Sequence, residues 1–267
     1  MPSFLVKLVR SFDHNLFRHL RPSQEVKDRL PHDQLQTNGI GLALTVALGV
    51  LYFLVLPILL TLLLKALVSP LPENQLGFYT VAIQVVAGVL FLLIAVVALP
   101  ITKWFPSWRK PTIVWQKVGL YFAIMLSFNF IWAIFYTALG VTSSSDNQSL
   151  INSLVLEAPI LMGIAVVILA PLVEELLFRY FLFGFFTRYR TWIAILISSL
   201  AFGLIHVIDS FADNWMFIFQ YATMGAVIAW SYVDHKRLVY PIALHGMNNL
   251  FSFIVMLIIS LIQQFIP

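Results

Sequence analysis

The chain has 267 residues, 60% of them hydrophobic and only 10% charged. Soluble domains carry roughly 45–50% and 25%, so composition excludes a soluble globular fold. The net charge of +4 comes from bases in short connections, without the Lys/Arg run and interleaved aromatics of a nucleic-acid surface. No nucleic-acid partner is expected. Cysteine is absent, which excludes disulfides, thiolate metal sites and a Cys nucleophile.

The first 38 residues read as a short cytoplasmic arm. Leu5, Leu8, Val9, Phe12, Leu16, Phe17 and Leu20 recur at helical spacing, with Lys7, Arg10, Arg18 and Arg21 between them. That pattern fits an amphipathic helix on an anionic leaflet, and equally a solvated basic tail that only sets orientation. The same charges interrupt any signal-peptide core. Residues 39–267 are then expected to form an all-α polytopic membrane domain of about seven or eight transmembrane helices.

Apolar spans fall near 40–68, 78–101, 115–140, 151–188, 191–208, 215–233 and 239–265. Bases alternate between connections: the arm is basic and 69–77 has none. Lys103, Arg109, Lys110 and Lys117 follow, and VTSSSDNQS again has none. Arg188 and Arg190 are basic, 209–214 is acidic, and Lys236 and Arg237 are basic. The positive-inside rule places the N-terminus in the cytoplasm. A straight helix over 151–188 would be about 57 Å long, far beyond a core of about 30 Å, so a kink or break at Pro171, just before Glu174, is the economical expectation.

Charges and imidazoles inside such spans carry an insertion cost of about 2.5–3.5 kcal/mol for a central charge and must be paired, hydrated or used. Glu174 and Glu175 are adjacent and therefore point about 100° apart on a helix. Glu175 and Arg179 are i,i+4, the spacing of a helical ion pair, which leaves Glu174 to face a cavity as a general base. His206 follows Phe202 by one turn, and Asn249 follows His245 by one turn. Singly, each residue is also explained by polar packing between helices. Together, one Glu, two His and one Asn on three segments fit three uses: a water-activating Glu/His pair with a His/Asn oxyanion hole, a zinc site of Glu174, His206 and His245, or the relay of an ion- or proton-coupled carrier.

EELLFR at 174–179, FGLIH at 202–206 and HGMNN at 245–249 resemble, in order, the three motifs of the CAAX prenyl protease and bacteriocin-processing family of intramembrane proteases. The resemblance covers about 150–265. It implies that Glu174 and His206 activate water for attack on a peptide carbonyl, while His245 and Asn249 stabilise the oxyanion. Glu175, Arg179 and Phe202 are expected as structural support. The implied partners are the bilayer and a peptide or protein substrate, either lipid-modified or a bacteriocin-type peptide, in a bacterial cell membrane. No cofactor is favoured, since no compact zinc motif is present, although a divalent metal such as zinc is the family's other described mechanism. A non-catalytic immunity or scaffold protein that keeps the motifs is the alternative function. Depth counting raises one difficulty: at 1.5 Å per residue His245 starts roughly 10 Å shallower than Glu174 and His206. Something must bend: Pro241 can begin the last helix deeper if 238–241 is extended or re-entrant, and Pro171 can move Glu174.

Overall fold

Because no water is available to backbone groups in hydrocarbon, each apolar segment satisfies its own N–H and C=O groups as a helix. In a computed structural model the chain is described over residues 40–68, 72, 75–98, 113–141, 146–187, 189–208 and 211–265. Among these residues there is no strand. The arm, 1–38, and Lys103, Arg109, Lys110 and Arg188 lie outside the described residues.

Helix α1 runs over Ile40–Val50, a π-helical turn Leu51–Val55, and Leu56–Leu67. It is followed by α2 (Leu76–Ala98), α3 (Trp115–Ala138), the short α4 (Asp146–Leu154) and α5 (Pro159–Phe186). The chain then forms α6 (Thr191–Ile205), the single turn α7 (Phe211–Asn214), α8 (Phe217–His235) and α9 (Val239–Phe265). Two helix ends show their stop signals in the backbone. Gly140 closes α3 at φ 72°, and Lys236 closes α8 at φ 55° with its N–H on the Tyr232 carbonyl, the left-handed position that ends a helix.

Many large apolar side chains face outward around an apolar core, and a few charged ones lie inside it. Leu59, Leu62 and Leu63 of α1, Phe130 and Ile131 of α3, and Ile258 and Ile259 of α9 are exposed, whereas Glu175, Arg179 and His245 are buried. A hydrocarbon solvent removes the penalty on the first group and imposes one on the second. The core centres on α5, whose Leu176, Leu177, Phe181 and Phe183 pack with Phe91, Phe202 and Tyr232.

The structure revises two expectations about where helices break. Among the described residues, five helices are long and apolar enough to cross a membrane by length and composition. Helix α6 has only 15 residues, and α8 carries Gln220, Thr223, Ser231 and Asp234. The 151–188 stretch does divide, but at 155–158 and not at Pro171. Pro159 opens α5, where a missing N–H costs nothing. Pro171 lies inside α5, tolerated because a π-helical segment, Ile164–Leu169, precedes it. Finally, 238–241 is not extended: α9 begins at Val239 and holds Pro241 in its first turn, again where the N–H would have no intrahelical partner.

Helices α6 and α8 make the tightest contact. A Cβ on Gly203 would sit 2.6 Å from the Ile218 carbonyl oxygen and 3.0 Å from the Ala222 nitrogen. Backbone cannot retreat as a flexible side chain can, so Gly203→Ala is expected to force the pair apart at a cost of about 1–3 kcal/mol. Thermal unfolding in detergent measures this, and an unchanged melting temperature would contradict the packing.

Candidate active site

Glu174 and Glu175 end the regular α-helical turn of α5, Ala170–Glu175, between two π-helical segments. Glu175 and its side are fully buried. Its Oε2 lies 3.1 Å from Arg179 Nε, the i,i+4 contact that the spacing anticipates. The contact is an ion pair without hydrogen-bond alignment. Arg179 is held from two further directions. Its Nη2 donates to the Gly225 carbonyl of α8 at 2.9 Å, and its guanidinium lies 4.7 Å from the Phe202 ring centroid, within cation–π range. Gly225 lets α8 pack closely here, since a Cβ there would stand 3.2 Å from Ser199 Cα and 3.3 Å from Phe202 Cδ1.

The other Glu175 oxygen makes a contact that spacing did not reveal. Oε1 accepts a 2.8 Å hydrogen bond from His245 Nδ1 of α9. Glu175 thus joins Arg179 to His245 and fixes the imidazole. The sequence offers no signal for this bond, because its partners are separated by 70 positions.

His206 caps the end of α6, and its Nδ1 donates to the Phe202 carbonyl at 2.7 Å. A carbonyl only accepts, so the neutral ring carries its proton on Nδ1 and a lone pair on Nε2. The ring stacks on Tyr221 at 4.5 Å and 23°, another neighbour the motifs do not contain. Phe202 packs against both imidazoles, 4.5 Å from His206 and 5.5 Å from His245.

Both Nε2 atoms face one oxygen. Glu174 Oε2 lies 3.8 Å from His206 Nε2 and 3.9 Å from His245 Nε2. It is buried without a hydrogen-bond partner. Gaps of this size between polar atoms are the ones that a water commonly bridges. The Glu174 and His206 side chains keep 11% and 13% exposure, against zero for Glu175 and Arg179, so the open side of the cluster is the Glu174/His206 side. The three side chains meet despite the difference in depth that residue counting gives.

Asn249 is placed differently from the other three. Its Nδ2 donates to the Val166 carbonyl of α5 at 2.8 Å, and its Oδ1 accepts from Asn248 at 3.3 Å. As for a metal, Glu174, His206 and His245 are suitable donors, but tetrahedral zinc with bonds of 2.0–2.1 Å draws its ligand atoms to about 3.3 Å apart. The observed separations are wider, and among the described residues no group of His, Asp and Glu is arranged to hold a metal ion.

Fold and cluster define a class: an all-α multi-pass membrane protein with a buried Glu/His constellation contributed by three helices. Residues 156–251 match the family described as Rce1-like, type II CAAX prenyl endopeptidase, so the resemblance seen in the three motifs is borne out over that segment. The chain is similar to "Putative membrane peptidase YdiL" of Bacillus subtilis, 31% identical over 55% of this chain and 57% of the relative. "Membrane-embedded CAAX protease MroQ" of Staphylococcus aureus is also 31% identical, over 56% of this chain and 60% of the relative. The chain thus spans less than two thirds of the length of either relative. No solved structure matches it at comparable stringency.

Proposed function

We propose that this protein is an intramembrane endopeptidase in which Glu174 and His206 hold and activate a water. The observation that carries the reading is the single Glu174 oxygen, buried and unpartnered, faced by two imidazoles whose Nδ1 atoms are already committed to Phe202 and Glu175. Glu174 takes a proton as the water oxygen attacks the peptide carbonyl, and returns it to the departing amine when the C–N bond breaks. His245, carrying both protons with Glu175 as counter-charge, donates from Nε2 to the oxyanion. Asn249 has a second Nδ2 hydrogen beyond the one given to Val166, and that hydrogen assists. The names of the relatives support the peptidase class. The substrate is then a membrane-associated peptide, either lipid-modified or of bacteriocin type, and the basic connections place the N-terminus on the cytoplasmic side.

The reading includes no bound metal, supported by the width of the donor set. Purified protein in liposomes, given membrane-tethered peptides, is expected to produce a new carboxylate containing oxygen from labelled water. Cleavage is expected to continue in the presence of a chelator, with substoichiometric zinc by elemental analysis. Absence of cleavage across a broad peptide set overturns the peptidase reading in favour of an immunity or scaffold role. Loss on chelation with recovery on added zinc overturns its metal-free form.

A further inference from the structure

The π segment before Pro171 leaves one backbone carbonyl of α5 without a helical partner, and Asn249 occupies it. In an α-helix the Val166 carbonyl would accept from the Ala170 N–H. Here the Ala170 N–H instead reaches back five residues to the Ala165 carbonyl. The next residue in that i→i−5 register is Pro171, which has no N–H to offer Val166. Helix α1 repeats the device: the Leu56 N–H reaches back to the Leu51 carbonyl at the end of a π turn, directly before Pro57. These two π turns each end two residues before a proline, whereas the π segment Leu176–Phe183 has none at that position.

In α5 the consequence falls on the candidate site. Asn249 Nδ2 donates to the vacated Val166 oxygen at 2.8 Å, which stops the carboxamide from rotating. Helix α9 can come this close because residue 246 has no side chain; a Cβ on Gly246 would stand 3.1 Å from the Val167 carbonyl oxygen. We propose that Pro171 is a positioning residue for Asn249, acting through the Val166 carbonyl that it leaves open. For its catalytic consequence this rests on the peptidase reading, but the seat itself does not.

The test is a double-mutant cycle of Pro171→Ala and Asn249→Ala. Pro171→Ala supplies an N–H that competes for the Val166 oxygen and frees the carboxamide. In the wild-type background it is expected to lower kcat about tenfold with KM unchanged, the cost of a misplaced oxyanion donor. In the Asn249→Ala background it should lower kcat no further. A kcat at the wild-type level, or losses that multiply, overturns the proposal. Melting temperatures of the same four proteins give an arm that needs no activity: coupled, less-than-additive shifts are expected, and simple addition overturns the seat. A protein that cleaves nothing but shows this coupling loses the peptidase reading and keeps the seat. Should Pro171→Ala fail to fold, Gly246→Ala approaches the same contact from α9. It is expected to lower kcat selectively in the wild type and not with Asn249→Ala, and an equal loss in both backgrounds overturns the proposal.

Discussion

Glu174→Gln is expected to reduce peptide cleavage by about 10²–10⁴-fold while leaving the melting temperature unchanged or raised. The substitution keeps volume and shape at a position only 8% exposed and removes the base that takes the water's proton, a contribution of that order in general acid–base catalysis. Stability is spared because Glu174 Oε2 has no hydrogen-bond partner to lose, and a buried carboxylate carries a desolvation cost that an amide escapes. Cleavage within tenfold of wild type would remove Glu174 from the reaction. Unchanged biological function together with absent cleavage in both proteins would point to a scaffold.

Arg179→Ala is expected to have the largest effect on stability, about 3–5 kcal/mol, the range for removing one partner of a buried ion pair. It strips Glu175 of its i,i+4 counter-charge, leaves the Gly225 carbonyl without its guanidinium donor, and empties a space beside Phe202. Activity should fall as well, because Glu175 then holds His245 without a second anchor. Neutralising both ends, with Glu175→Gln and Arg179→Met, is expected to recover part of the lost stability but not the activity, since a carboxamide no longer supplies the counter-charge behind His245. Unfolding of Arg179→Ala and of the Glu175→Gln/Arg179→Met double variant in detergent measures both effects. A loss below about 1 kcal/mol for Arg179→Ala, the scale of an exposed pair, would contradict the buried network.

Local periodicity made some of the site legible. Glu175 and Arg179 lie one turn apart on any helix, so their pairing follows from the spacing alone. Phe202 and His206 are readable for the same reason, and their contact is a backbone hydrogen bond as well as a ring contact. The bond from His245 to Glu175 was not legible, nor was the stacking of Tyr221 on His206. These depend on how three separate helices are offset along the bundle. Counting residues from the basic connections assumed regular α-helix throughout, whereas Leu176–Phe183, between Glu174 and Arg188, is π-helical. Proline's missing N–H put the break of 151–188 at Pro171, when 155–158 and Pro159 carry it.

By itself the sequence determined that this is a helical membrane protein, that its buried charges need partners, and that Glu175 and Arg179 lie one turn apart to pair. Those conclusions depend only on composition, insertion cost and spacing within one helix. The tertiary structure alone decided that Glu174 faces both imidazoles, that Glu175 serves Arg179 and His245 together, and that Asn249 rests on a carbonyl vacated before Pro171. Such contacts arise between separate helices whose relative depth is set by packing, which leaves no periodic trace in the chain.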